Sequence, residues 1–163
     1  MRRRSLGICA VIAAAALFSL SSATADQQAR FMSLKIEGAE GRHGPGPEHR
    51  IDWLYERAGL PMMVLAHRGA WIQVRDPDGA EVWMQAENLE VRRTVYVRGQ
   101  ATLRRAARVG GQPIAYLMPG VIGSVTQCDG EWRRVAVGGR IGWVENSSLW
   151  GGDCAGLANT IRP

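Results

Sequence analysis

The sequence predicts an all-β fold: two tandem small antiparallel β-barrels that follow a cleaved signal peptide. Three observations predict it. Past the leader, short β-type runs recur, and no window of a dozen residues carries convincing helical periodicity. The runs repeat in the same order with a period of about sixty residues. Two apolar runs in Gly130–Val144 meet at Gly138-Gly139, a two-residue signal for a tight hairpin with φ > 0 at the turn.

Residues 1–25 read as an export signal. Arg2, Arg3 and Arg4 form a basic n-region, Leu6 to Leu20 an apolar h-region, and Ala23-Thr24-Ala25 a small-x-small cleavage pattern. The apolar run is shorter than the roughly twenty residues a spanning helix needs, so no stable membrane insertion of the mature chain is expected. Cys9 lies too early for a lipid-modified N-terminal cysteine. Cleavage leaves 138 of the 163 residues, enough for one domain or two very small ones. It also removes three arginines and lowers the formal charge from +5 to +2, so a nucleic-acid partner is poorly motivated. Cys128 and Cys154 remain, an even number in an exported chain, and a Cys128–Cys154 disulfide is expected.

In chain order, Asp26 to Ser33 reads as a polar lead-in, and the text from Leu34 is turn-rich around Gly44-Pro45-Gly46-Pro47. Strands are expected over Ile51–Arg57, Met62–His67, Ala70–Arg75 and Ala80–Met84, with a single helical or 3₁₀ turn within Gln85–Leu89. The second half gives Ala101–Arg105, Pro113–Leu117, Val121–Cys128, Glu131–Val137 and Arg140–Glu145. Trp71 matches Trp132, Val74 matches Val135, Trp83 matches Trp143 and Leu89 matches Leu149. The first tryptophan pair is one residue further apart than the second, which predicts a bulge at Gly79. The units join near Glu90 to Val95 and, being close to the minimum for an independent core, should pack together.

The pattern Trp132-x-x-Val135, a Gly-bearing turn, Gly142-Trp143-Val144 and Leu149 resembles the bacterial SH3 (SH3b) family. Arg42-His43-Gly44-Pro45-Gly46 is similar to the family's Arg-x-Gly-Pro opening, and Thr102-Leu103-Arg104 is its degraded counterpart. The resemblance covers residues 34–90 and 95–151, with a C-terminal tail at 152–163, and is nearest to exported proteobacterial proteins with tandem SH3-like repeats. Val82 departs from it by replacing the glycine before Trp83, and the second opening lacks Gly-Pro. Such a resemblance implies a small β-barrel with a binding or targeting role, often toward cell-wall components, and no common ligand.

With Gly138-Gly139 as the turn, Val137 pairs with Arg140, Val135 with Gly142 and Arg134 with Trp143. Val135, Val137 and Val144 then share one face, and Trp132, Ala136, Ile141 and Trp143 the other. Both faces are apolar, so the tryptophan face needs a cover. Either the other repeat or the tail with Trp150 supplies it, making the face an inter-repeat seam, or it is a ligand surface. The candidate binding residues are Trp71, Tyr116, Trp132, Arg134 and Trp143, with cation–π contact expected around Arg134.

Catalysis has little support. His43, His49 and His67 lie in the first repeat, and a Cys128 nucleophile has no helix beside it and is removed by a disulfide. No metal site and no cofactor are expected, since His43, Glu48 and His49 match no ligand spacing and Gly44-Pro45-Gly46-Pro47 leads into no phosphate-binding helix. Arg92, Arg93, Arg98, Arg104, Arg105 and Arg108 concentrate basic charge between the repeats, either as a solvated surface or for an acidic polymer such as a wall glycan or anionic lipid. The expectation is therefore a non-enzymatic periplasmic or secreted protein that recognises peptidoglycan or an envelope protein. A purely structural accessory protein is the alternative, with a cell-wall hydrolase far behind.

Overall fold

The computed structural model describes residues 31–154; the export signal expected over residues 1–25 and the chain beyond Cys154 lie outside the described residues. The first unit comprises β1 (Phe31–Leu34), β2 (Ala39–Arg42), β3 (Ile51–Tyr55), β4 (Pro61–Arg68), β5 (Trp71–Arg75), β6 (Glu81–Gln85), a 3₁₀ turn at Ala86–Asn88 and β7 (Leu89–Glu90). The second repeats it with β8 (Thr94–Val97), β9 (Ala101–Arg104), β10 (Pro113–Leu117), β11 (Ile122–Asp129), β12 (Trp132–Val137), β13 (Arg140–Glu145), a 3₁₀ turn at Asn146–Ser148 and β14 (Leu149–Gly151). The sheet orders are the same: β3-β2-β6-β5-β4-β1-β7 and β10-β9-β13-β12-β11-β8-β14. All pairings are antiparallel, and the chain is all-β with two tandem SH3-like units. Among the described residues no helix is long and apolar enough to cross a membrane.

The expected hairpin register holds, with Val137 opposite Arg140, Val135 opposite Gly142 and Arg134 opposite Trp143. Gly138 and Gly139 both take positive φ, the mirror-image turn whose twist matches the strands it joins. Two expectations need correction. Phe31–Leu34 is a strand and not a polar lead-in, because it fills the gap between β4 and β7 and buries Ser33 and Leu34. The bulge is not at Gly79. The β5–β6 register runs unbroken from Trp71↔Gln85 to Arg75↔Glu81, so the five-residue Asp76–Ala80 loop absorbs the extra residue. Bulges sit on β4 at Leu65 and on β11 at Thr126, and on β3 at Asp52 and on β10 at Ile114, the same places in both repeats.

Each sheet wraps its own core. Leu34, Met62, Val74, Val82 and Met84 centre the first; Val95, Val97, Leu103, Val135 and Val144 centre the second. The linker between the units is three residues, Val91 to Arg93, and the units are packed against each other. Trp150 on β14 donates from Nε1 to the Pro61 carbonyl at 3.2 Å and meets Phe31 edge-on, ring centroids 5.3 Å apart. Beneath them the buried Ser33 hydroxyl donates to the Arg92 carbonyl and so accepts from Thr94 Oγ1, both at 2.6 Å. Tyr96 and Ile122 of the second unit complete the wall of the first core. The seam tryptophan is thus Trp150, from the strand that pairs with β8.

Cys128 and Cys154 form a disulfide, Cα atoms 6.1 Å apart, which carries the tail across the seam. Asp153 there accepts from the Phe31 amide at 3.2 Å and pairs with Arg93 at 3.6 Å. Arg133 Nε donates to the Gly152 carbonyl at 3.0 Å. Burial lowers the pKa of that guanidinium from its ordinary value, against the upward pull of Glu131.

Candidate functional site

The outer face of the second repeat is built on a row of neighbouring residues across four strands: Arg104, Trp143, Arg134 and Gln127. Strand alternation puts Leu103, Val135 and Val144 inward and leaves this row outward, with Trp143 half-buried and Arg134 exposed. The loop between β9 and β10 rises beside the row, closed by Arg105 N–H to the Gln112 carbonyl at 2.9 Å and Gly111 N–H to the Arg108 carbonyl at 3.0 Å. Arg104 Nη1 clasps the base of the loop by donating to the Gly111 carbonyl at 3.0 Å. Between loop and hairpin lies an open groove of about 750 Å³, lined by Arg105, Arg108, Ile114, Asp129, Arg134 and Trp143.

The first repeat forms the same row from Arg42, Trp83, Gln73 and Ala66 but encloses a different surface. Arg42 donates to the carbonyls of Pro47 and His49 and pairs with Glu40. A smaller hollow of about 270 Å³ lies beside it, lined by Trp71, Glu40, Arg42, Pro47, Gln85 and Asn88. Arg50 pairs with Asp52 at 2.9 Å, and Arg75 with Glu81. From β1 to β7 the first unit holds six basic and ten acidic residues, a formal −4; from β8 to β14 the second holds seven basic and three acidic, a formal +4. Among the described residues no ion pair joins two members of the second unit.

The basic concentration seen in the sequence therefore resolves into parts. Arg92 pairs with Glu90 at 3.0 Å, Arg93 with Asp153, and Arg98 stacks over Trp150 at 4.5 Å from the ring centroid. Arg104 holds its loop. Arg105 and Arg108 reach the groove and join Arg134, which comes from the hairpin. The cation–π contact expected at Arg134 is found instead at Arg98 and Trp150; among the described residues it is the only such pair.

Of the sequence-predicted site residues, Arg134 and Trp143 come together in the groove. Trp132 lies on the same face, opposite Glu145 and diagonal to Trp143, and is half-buried. Tyr116 stands on the edge strand β10 opposite Thr102, 67% exposed and outside the groove lining. Trp71 belongs to the first repeat's hollow and does not meet the others. Arg105, Arg108, Ile114 and Asp129 complete the site; the signal for the loop residues was the alignment of Arg104 with Arg42, which places an eight-residue loop after each arginine. Among the described residues no three His, Cys, Asp or Glu side chains stand close enough to hold a metal ion.

No curated protein matches the chain. Among solved structures, NlpC2 from Trichomonas vaginalis is similar over 82% of this chain and 52% of its own, at 13% identity and a TM-score of 0.36. NlpC1 from the same organism is similar over 79% of this chain and 48% of its own, at 15% identity and a TM-score of 0.35. The chain thus spans about half the length of each. The family model for the bacterial SH3 domain matches twice, over residues 36–90 and 97–151, one match to each of the two sheets. The chain belongs to the bacterial SH3 domain family, as a tandem pair.

Proposed function

We propose that this protein is a non-enzymatic binding or scaffolding protein of the bacterial cell envelope, recognising peptidoglycan or an envelope protein through the outer face of its second repeat. The observation that carries the reading is Trp143, half-exposed between Arg104 and Arg134 on the floor of an open groove. An aromatic ring flanked by guanidiniums offers both a stacking surface and directed donors to an extended ligand. Export to the periplasm or beyond is supported by the leader pattern and by the disulfide, a bond that persists in oxidising compartments. The same bond occupies Cys128 and Cys154, which argues against a thiol nucleophile.

Retention on purified sacculi tests this. The wild type is expected to co-sediment, and Trp143→Ala and Trp132→Ala to lose retention while keeping the circular dichroism of the folded protein. Variants that unfold would favour a second reading, in which the aromatics are structural. Trp150, already committed to the seam, is the observation on that side. A folded wild type that sacculi do not retain would leave an envelope protein as the partner.

A further inference from the structure

We infer that the groove of the second repeat takes an extended, carboxylate-bearing peptide, and that the first repeat does not share this ligand. The inference rests on reading the second repeat's outer face as the binding surface, and it adds the ligand's chemistry. Arg105, Arg108 and Arg134 are exposed, line one groove, and enter no ion pair among the described residues. Arg42, Arg50, Arg75, Arg92 and Arg93 each meet a carboxylate, and Arg57, Arg98, Arg104 and Arg133 are held by carbonyls or by the Trp150 ring. Three guanidiniums that share the groove with a single carboxylate, Asp129, and pair with none leave a net positive charge there, which an incoming anion relieves.

The first repeat is an internal control for the fold. It has the same loop and the same row, yet its arginine is neutralised by Glu40 and its net charge has the opposite sign. The basic groove is therefore a property of the second repeat's side chains and not of the barrel.

The form of the site selects the anion. Planar guanidinium forks match carboxylates in two-point contacts. Asp129 on the groove wall disfavours a densely charged polyanion and leaves room for a ligand amine. Ile114, Ile141 and Trp143 supply apolar surface between the cations, as an extended peptide with alternating side chains needs.

The test is a titration of the full mature protein, read by tryptophan fluorescence, with a short synthetic peptide of alternating glutamate and alanine. The neutral glutamine–alanine peptide and inorganic polyphosphate serve as comparisons. The glutamate peptide is expected to bind, and its affinity to fall with salt. The triple variant Arg105→Gln, Arg108→Gln, Arg134→Gln should weaken it by at least about tenfold. A charge-matched variant of the first repeat, Lys35→Gln, Arg50→Gln, Arg68→Gln, should bind as the wild type does. Equal binding of the neutral peptide, tighter binding of polyphosphate, or a triple variant that binds normally would overturn the inference. Sacculi separate it from the broader reading. Retention untouched by the triple variant sinks the carboxylate inference alone. Glutamate-peptide binding without sacculus retention upholds it and removes peptidoglycan as the target.

Discussion

Inside the first barrel the Tyr55 hydroxyl donates to Asp76 Oδ2 at 3.0 Å, while Asp76 Oδ1 accepts the amides of Asp78 and Ala80. One buried carboxylate thereby organises the Asp76–Ala80 loop that takes up the extra residue between β5 and β6. Burial first, then the Asp76 charge and its hydrogen bond, raise the Tyr55 pKa well above its ordinary value. The unfolded phenol loses its proton near pH ~10 while the folded one keeps it, so this contribution to stability is complete below that pH and declines above it. Tyr55→Phe should cost about 1 kcal/mol at neutral pH and flatten the decline in urea midpoint on the alkaline side. A variant whose alkaline decline parallels the wild type would refute the assignment. The sequence contained both residues but no sign that they meet, since Tyr55 ends β3 while Asp76 opens the loop after β5, and they pair only once the barrel closes.

Also at this scale, Val82 stands where the second repeat has Gly142, and the packing explains it. A β-carbon on Gly41 would lie 2.8 Å from Val82 Cγ2, whereas a β-carbon on Gly142 would lie 2.8 Å from Leu103 Cγ. Gly41 corresponds to Leu103 and Val82 to Gly142, so each repeat fills one shared space from opposite strands. Gly41→Leu alone overpacks the core and should destabilise it by about 1–3 kcal/mol. Adding Val82→Gly should return part of that loss, a coupling visible in a double-mutant cycle of urea denaturation. Strict additivity would contradict the exchange.

At the scale of elements, the Gly130–Val144 hairpin was legible because its signals are local: two glycines at the turn and a two-residue period on either side. Most strands and the first 3₁₀ turn were readable for the same reason. The unread elements, β1, β2, β7, β8 and β14, are two to four residues each and owe their strand state to partners far along the chain. β2 spells Ala-Glu-Gly-Arg, which carries no β-type pattern alone. The bulges at Leu65 and Thr126 were illegible because nothing in either residue type marks them. The basic residues were legible as a cluster, but their sorting into ion pairs, a loop clasp, a stack on Trp150 and the groove depends on which carboxylates the fold brings near.

For the whole molecule, the tryptophan face of the second hairpin and the seam between repeats are separate surfaces, and this separation leaves the groove open. The seam couples the two cores through Trp150, Phe31 and the buried Ser33–Thr94 contact, and Arg57 adds a hydrogen bond to the Gly120 carbonyl at 2.8 Å. Units of about sixty residues are marginal alone, so the pair should unfold in one transition. Trp150→Ala should lower stability by about 3 kcal/mol and split the calorimetric trace in two. A single unchanged transition would show that the seam does not couple them.

The central claim is that the second repeat's outer face is the binding surface. It is tested most directly by the six tryptophan indole signals in a nitrogen–proton NMR spectrum, followed while soluble peptidoglycan fragments from muramidase-digested sacculi are added. The Trp143 signal is expected to shift saturably, with Trp132 following more weakly, while Trp150 in the seam and Trp83 of the first repeat stay in place. Saturable shifts confined to Trp53, Trp71 or Trp83, with Trp143 unmoved, would contradict it.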